Sequence, residues 1–324
     1  MVRFTWATFG IAAVLTALPV TSSAQPYPTK PIKFIVPYAP GGLPDTVARW
    51  VAQRLTERLG QSVVVDNKPG GNGVVAYQSL LQSTPGDGHA FIVSDGSMLS
   101  ITPQINKAAT YKVGQDLLPV SMIATSPLFI AAHPKTGVNS FKEFVEKVKA
   151  SPGEYTYASS GIGSTHHLTM EALKAALNLD VRHVPFRGSG QSTPALVGGQ
   201  TEYSVTALPS IAGFVKSGQV KLLASNARER SKQAPEIPAI AETVPNFDFA
   251  VIVGVLGAKG TPQVAIDRIS KEIAEVVKMP EVVKTFHDAV VEPVGAGPAE
   301  YAKAIERENA AMARAGKAAQ LSAN

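Results

Sequence analysis

The chain has 324 residues, of which 45% are hydrophobic and 17% charged, and its net charge is +5. At about 150 residues per domain this length predicts two domains of a globular protein. Lysine and arginine are scattered rather than gathered with aromatic residues into one stripe, which argues against a nucleic-acid binder. The sequence contains no cysteine, so disulfides, thiolate nucleophiles and cysteine-based zinc sites are excluded.

Residues 1–24 have the pattern of a secretory signal peptide. Arg3 provides a positive start, residues 9–18 form an apolar run, and residues 21–24 are small. The apolar run is short for a bilayer-spanning helix. We therefore predict an exported protein whose signal peptide is cleaved after about Ala24.

Short β-branched runs alternate with helical patterns along the mature chain. The first strand is predicted over residues 32–36, and Asp45 is predicted to cap the helix that follows. Apolar residues recur in that helix at four-residue spacing from Val47 to Leu59. The alternation predicts an α/β fold in which helices cover the faces of parallel sheets.

Two longer apolar runs, residues 120–132 and 249–256, enclose a complete inner series of strands and helices. We interpret the runs as hinge strands. A second lobe of residues 125–246 is then inserted into a first lobe of residues 25–124 and 247–324. Two sequential domains are the alternative that periodicity leaves open.

Three strand-to-helix loops contain the candidate ligand-binding residues. Glycines let backbone N–H groups approach a ligand, and a helix N-terminus favours an anion. The guanidinium in the third loop can bond a carboxylate through two N–H groups. Plain turns and helix caps are the alternative interpretation of these loops. The candidates are Tyr38, Pro40, Gly41, Gly42 and Asp45 in the first loop, Ser160, Gly163, Ser164, Thr165 and His166 in the second, and Arg187 in the third.

Evidence for enzyme chemistry is weaker. Residues 71–76 match a relaxed dinucleotide fingerprint upstream of Asp95, which leaves an exported NAD-dependent oxidoreductase as an alternative. His166, His167 and Glu171 offer metal-ligand spacing without a clear further ligand. Neither Gly-x-Ser-x-Gly nor Ser-x-x-Lys occurs. We therefore predict no catalytic residue, no metal and no cofactor.

A set of motifs in order along the mature chain resembles the Bug family, the substrate-binding components of tripartite tricarboxylate transporters. The motifs are Pro40-Gly41-Gly42 with Asp45, residues 64–71 and 85–88, Ser159 to Ser164, and His183-Val184-Pro185.

The resemblance implies a type II-like periplasmic binding protein fold, with two α/β lobes, hinge strands and a ligand cleft between the lobes. It implies that the Pro40–Asp45 and Ser160–Thr165 loops hold a small carboxylate. A mono- or dicarboxylate, aliphatic or aromatic, and even a neutral relative are the alternatives for the ligand. The resemblance makes the glycines at 71 and 73 part of a structural turn. We also expect a monomer in the periplasm with membrane transporter subunits as partners. A sensor adaptor that presents its ligand to a signalling protein is an alternative.

Overall fold

The computed structural model of the protein describes Val2 and residues 27–83 and 86–318. The predicted signal peptide, residues 1–24, lies outside the described residues except for Val2. Within the described ranges, no helix combines the length and the apolar character needed to cross a membrane.

The described part of the chain contains eleven strands and ten α-helices. The strands are β1 (Ile32–Val36), β2 (Val63–Asn67), β3 (Ala90–Asp95), β4 (Leu117–Ser126), β5 (Phe129–Ala132), β6 (Thr156–Ser159), β7 (Arg182–Pro185), β8 (Tyr203–Thr206), β9 (Lys221–Ser225), β10 (Val251–Ala258) and β11 (Glu292–Ala296). The helices are α1 (Leu43–Leu59), α2 (Val74–Gln82), α3 (Thr102–Ile105), α4 (Phe141–Ala150), α5 (Thr165–Leu177), α6 (Ser189–Val197), α7 (Leu208–Lys216), α8 (Gln263–Val276), α9 (Pro280–Asp288) and α10 (Pro298–Ala318).

The strands form two sheets, which define the two lobes. The first sheet has the order β11-β4-β10-β3-β1-β2, and the second has the order β7-β6-β8-β5-β9. β10 pairs antiparallel with both β3 and β4, so the chain returns to the first sheet after completing the second. The strands of the second sheet, β5 to β9, therefore lie in sequence between two parts of the first sheet. The residue boundaries of the lobes given above stay a prediction.

Burial explains why these segments are strands and helices. All six residues of β3, which lies between β10 and β1, are buried, as expected for a central strand with both faces covered. On α1, the predicted apolar positions from Val47 to Leu59 are buried. The helix ends at Gly60, whose left-handed φ of 66° lets its N–H bond to the carbonyl of Thr56.

The start of α1 differs from the prediction. Gly42 is the N-cap and the helix begins at Leu43, so the assignment of Asp45 as the cap is wrong. Pro44 suits the first turn of a helix, because an N–H at that position has no partner within the helix. The helix therefore begins before Asp45 and not after it. The carboxylate of Asp45 instead accepts hydrogen bonds from the Gly41 N–H and the Asn67 amide, both at 2.8 Å.

The two connections between the sheets meet at the buried side chain of Asn226. Its Oδ1 accepts from the N–H of Leu128 at 2.7 Å. Its Nδ2 donates to the carbonyl of Phe249 at 2.7 Å and to Oγ1 of Thr169 at 3.1 Å. One amide thus joins the outgoing connection, the returning connection and α5, so it holds the hinge together.

We predict that Asn226→Leu lowers the free energy of unfolding by about 2–4 kcal/mol, because buried backbone groups lose their partners. Urea unfolding followed by circular dichroism measures this change. Asn139→Leu is the control, since the exposed Asn139 amide donates to the carbonyl of Gly137 at the surface. We expect the control to change stability by less than about 0.5 kcal/mol. Equal effects of the two substitutions would contradict the role of Asn226.

Candidate functional site

A cavity of about 650 Å³ lies between the lobes. Its walls are loops that follow strands of both sheets, the position where open α/β sheets bind ligands. The lining residues are Pro37, Tyr38, Gly70, Gly71, Asn72, Thr102, Ile105 and Asn106 from the first lobe, and Ser160, Gly161, Ile162, Pro185, Phe186, Arg187 and Gln191 from the second. Both lobes therefore contribute to one site.

Arg187 is the one charged residue in this lining. Its side chain is exposed, and its guanidinium makes no hydrogen bond within the described parts of the protein. Its backbone N–H donates to Oε1 of Gln191 at 3.2 Å, which orients that amide. Because none of the described lining residues carries a carboxylate, the charge of this lining is positive and favours an anion.

Neutral hydrogen-bonding groups line the first-lobe wall. Nδ2 of Asn72 donates to Oγ1 of Thr102 at 2.8 Å, and that hydroxyl donates to the carbonyl of Asn72 at 3.0 Å. Oδ1 of Asn106 accepts from the N–H of Ala108, which leaves its Nδ2 as a donor. These two amides can bond a polar ligand without adding charge to the cavity.

The glycine turn before α2 forms part of the same wall. Gly70, Gly71 and Gly73 have φ values of 144°, 56° and 108°, in the region that favours glycine. A Cβ on Gly73 would lie 2.4 Å from Cγ of Met98, so the backbone must approach closely there. Gly70, Gly71 and Asn72 line the cavity, so this turn contributes to the site as well as to the fold.

Of the predicted residues in the first loop, only Tyr38 lines the cavity. Its hydroxyl points away into the protein, where it donates to Oδ1 of Asp95 at 2.6 Å and lies 2.8 Å from Oγ of Ser97. Burial, followed by the charge of Asp95, raises the pKa of Tyr38 well above its ordinary value. The phenol is therefore neutral and anchored.

Pro40, Gly41, Gly42 and Asp45 are outside the cavity lining. The Asp45 carboxylate is occupied within its own lobe, because it also pairs with Arg49 at 2.9 Å. The other three residues form the edge that touches the second lobe. There the carbonyl of Gly41 accepts from Oγ of Ser210 at 2.9 Å.

Of the predicted residues in the second loop, only Ser160 lines the cavity, whereas Gly163, Ser164, Thr165 and His166 are outside the lining. Ser164 caps α5 by accepting from the N–H of His167 at 3.2 Å, and its hydroxyl donates to the carbonyl of Gly161 at 2.7 Å. A Cβ on Gly163 would lie 2.3 Å from Cδ1 of Ile105, across the cleft. The hydroxyl of Thr165 is buried and has no partner among the described residues.

His166 joins two of the lining loops from behind. Its Nδ1 lies 2.7 Å from Oγ of Ser160, and its Nε2 lies 3.2 Å from Oγ of Ser189. Burial lowers the pKa of His166 to about 4, so the ring is neutral at neutral pH. It therefore positions Ser160 without offering a charge to a ligand.

The metal alternative finds no geometric support. The His166 nitrogens face serines, and Nε2 of His167 lies 4.0 Å from Oε1 of Glu171. No group of three or more potential ligands capable of holding a metal ion occurs in the described ranges.

Sequence reasoning missed much of the lining. The amides of Asn72, Asn106 and Gln191 and the apolar side chains of Ile105 and Phe186 were not among the candidates. One signal was available, because residues 70–72 follow a strand and precede a helix, like the loops that were chosen. Residues 102–106 carry no comparable local pattern.

The sequence matches the model of the tripartite tricarboxylate transporter family receptor, TctC, over residues 47–320. BugT of Bordetella pertussis is 32% identical over 294 residues, covering 90% of each chain. The structure of R. palustris Rpa4515 with adipate has a TM-score of 0.88 and 27% identity, and covers 92% of this chain and 100% of that one. The periplasmic binding protein BugD has a TM-score of 0.85 and 25% identity, covering 92% and 100%.

These similarities confirm the predicted two-lobed periplasmic binding protein fold and the resemblance to the Bug family. The family and its solved relatives are binding proteins, so the oxidoreductase alternative is set aside. The chain belongs to the tripartite tricarboxylate transporter receptor family.

Proposed function

We propose that this protein binds a small carboxylate in the periplasm and delivers it to the membrane subunits of a tripartite tricarboxylate-type transporter. The observation that carries the proposal is the cavity between the lobes, where Arg187 is the only charged residue among the described lining residues. One guanidinium and no carboxylate favour an anionic ligand. The relative whose structure contains adipate supports the same ligand class.

The remaining walls suit a ligand with an apolar body. Ile105, Ile162 and Phe186 line the cavity, and the Ile162 side chain is 57% exposed. Covering such a side chain with an aliphatic or aromatic ligand removes apolar surface from water, which is favourable. A single carboxylate can pair with Arg187, while the amides of Asn72 and Asn106 suit a second polar end.

The N-terminal pattern and the family support the proposed location and partner. The basic start, apolar run and small residues of the first 24 residues are those of a secretory signal peptide, with cleavage after about Ala24. The matched family is a transporter receptor family. We propose that the carboxylate-bound, closed form is what the membrane subunits recognise.

Close backbone contacts between the lobes support a closing motion. A Cβ on Gly190 would lie 2.2 Å from the carbonyl oxygen of Pro40, and one on Gly188 would lie 3.2 Å from the N of Ala39. The N–H of Ala39 donates to the carbonyl of Arg187 at 3.4 Å. These contacts bring the Arg187 loop against the first lobe, so closure and placement of the guanidinium are coupled.

Thermal denaturation with matched ligands tests the proposal. We expect adipate to stabilise the mature protein by about 2.7 kcal/mol at a hundredfold excess over its Kd. Adipamide has the same length without charge, and 1,6-diaminohexane has the opposite charge. The proposed ligand class would be refuted if either control stabilised the protein while no acid did so in a panel of monocarboxylic, dicarboxylic and aromatic acids.

We predict that Arg187→Ala weakens carboxylate binding by about 10- to 100-fold, since a hydrogen bond to a charged group contributes about 1.5–3 kcal/mol. Isothermal titration calorimetry measures the Kd. Arg182→Ala is the matched control, because Arg182 is also exposed in the second lobe but is not a lining residue. Equal Kd values for the two variants would remove Arg187 from the site.

We predict that Gly190→Ala weakens ligand binding at least about tenfold, a loss of about 1.4 kcal/mol, because its methyl group blocks the contact with Pro40. Within α6 itself alanine is the better helix former, so the effect is expected at the contact between the lobes. Gly213→Ala in α7 is the control, because no atom lies within 4 Å of the added Cβ. An unchanged Kd for Gly190→Ala would show that this contact plays no part in binding.

A further inference from the structure

Three aromatic rings form a stack behind the cavity loop, residues 159–164. The rings of Tyr157 and His183 have centroids 4.8 Å apart and planes inclined by 21°. The rings of His183 and His167 are closer, at 4.0 Å and 11°. The function proposed above assigns no role to this imidazole pair.

His167 holds the far end of the cavity loop. Its Nδ1 lies 3.2 Å from the backbone N of Gly163, whose N–H donates to it. A backbone amide can only donate, so Nδ1 must carry a lone pair and the proton of the neutral ring lies on Nε2. Protonation of Nδ1 would replace this acceptor with a second donor and break the bond.

His183 holds the near end of the cavity loop. Its Nε2 lies 2.6 Å from Oγ of Ser159, which itself accepts from the N–H of Gly161 at 3.1 Å. The Ser159 hydroxyl hydrogen is therefore directed to Nε2 or to the carbonyl of Gly161, which is farther away at 3.3 Å. The shorter contact favours His183 as an acceptor through an unprotonated Nε2.

The charged groups around the stack disfavour a positive charge on both imidazole rings. Glu171 on α5 accepts from the Tyr157 hydroxyl at 2.6 Å and from Nζ of Lys174 at 2.9 Å, so its charge is already compensated. Burial, followed by His167 and Lys174, lowers the pKa of His183 to about 3. Burial also lowers the pKa of His167, although Glu171 partly opposes the shift.

We propose that His167 and His183 are positioning residues that hold the cavity loop in its binding geometry as neutral hydrogen-bond acceptors, so that acid releases the loop and weakens ligand binding. The ligand part of this inference rests on the proposed function. A ring freed from the loop returns toward an ordinary pKa of about 6.5. Release of the loop is therefore coupled to the uptake of protons. The affinity for the ligand has its full value above about pH 6.5 and falls as the pH is lowered.

Two sets of substitutions distinguish the loss of a hydrogen-bond acceptor from the loss of a group that titrates. In His167→Asn and His183→Gln the amide oxygen replaces Nδ1 and Nε2, respectively, as a hydrogen-bond acceptor that does not titrate. In His167→Phe and His183→Phe the ring volume stays and the acceptor is lost. His133→Asn is the matched control, because Nδ1 of His133 accepts from the N–H of Lys135 at 3.0 Å and His133 is not a lining residue.

Adipate affinity is measured for each double variant and the wild type, and taken as a ratio at each pH so that the ligand's own titration cancels. We expect the ratio of the amide double variant's affinity to the wild-type affinity to rise at least about tenfold as the pH is lowered from about 7.5 to 4.5. The phenylalanine double variant should bind at least about tenfold more weakly at neutral pH, and His133→Asn should follow the wild type. A constant ratio for the amide variant, or wild-type affinity in the phenylalanine variant, would overturn the proposal.

Histidine-nitrogen NMR of the ligand-free protein gives an independent readout. We expect His167 with its proton on Nε2 and His183 with its proton on Nδ1, both neutral at about pH 6. The opposite tautomer or a charged ring at that pH would overturn the inference. If neither adipate nor any other acid of the panel binds the wild type or the variants, the proposed function fails. The tautomers measured by NMR then test the positioning role separately.

Discussion

The antiparallel pairing of β4 with β10 is the constraint on which the rest of the molecule depends. Because the chain leaves the first sheet from β4 and returns through β10, both connections between the lobes begin at neighbouring strands. The buried amide of Asn226 then bonds to both connections. Loops that follow strands of both sheets consequently face a single cavity, although they lie far apart in the chain.

The cavity lining contains very little charge. Arg187 is the only ionic residue in the described lining, and the other polar groups are amides, hydroxyls and glycine-rich backbone. The histidines behind it are buried and have lowered pKa values, because burial disfavours the charged ring. Neutral groups thus shape the loops, while one guanidinium supplies the charge of the described lining. This division keeps unpaired charge out of the protein interior, where it is costly.

The fold was predictable because its signals are local. Strands such as β1 and β3 are short apolar runs, and glycine and proline mark the turns between them. The lining of the cavity was predictable only in part. Tyr38, Ser160 and Arg187 line the cavity, whereas Asp45 is bonded within its own lobe and Ser164 caps a helix. Small polar residues after a strand suit both a ligand and a helix cap, and spacing alone does not separate these roles.

The sequence by itself determined the class of the molecule: no cysteine chemistry, alternating strands and helices, and the family through motifs in order. Only the tertiary structure decided that the Gly70–Asn72 turn and residues Thr102 and Asn106 join the cavity, and that two stacked imidazoles stand behind it. The reason is physical. Periodicity reports which residues of one segment are buried, whereas a cavity depends on how distant segments meet across a hinge.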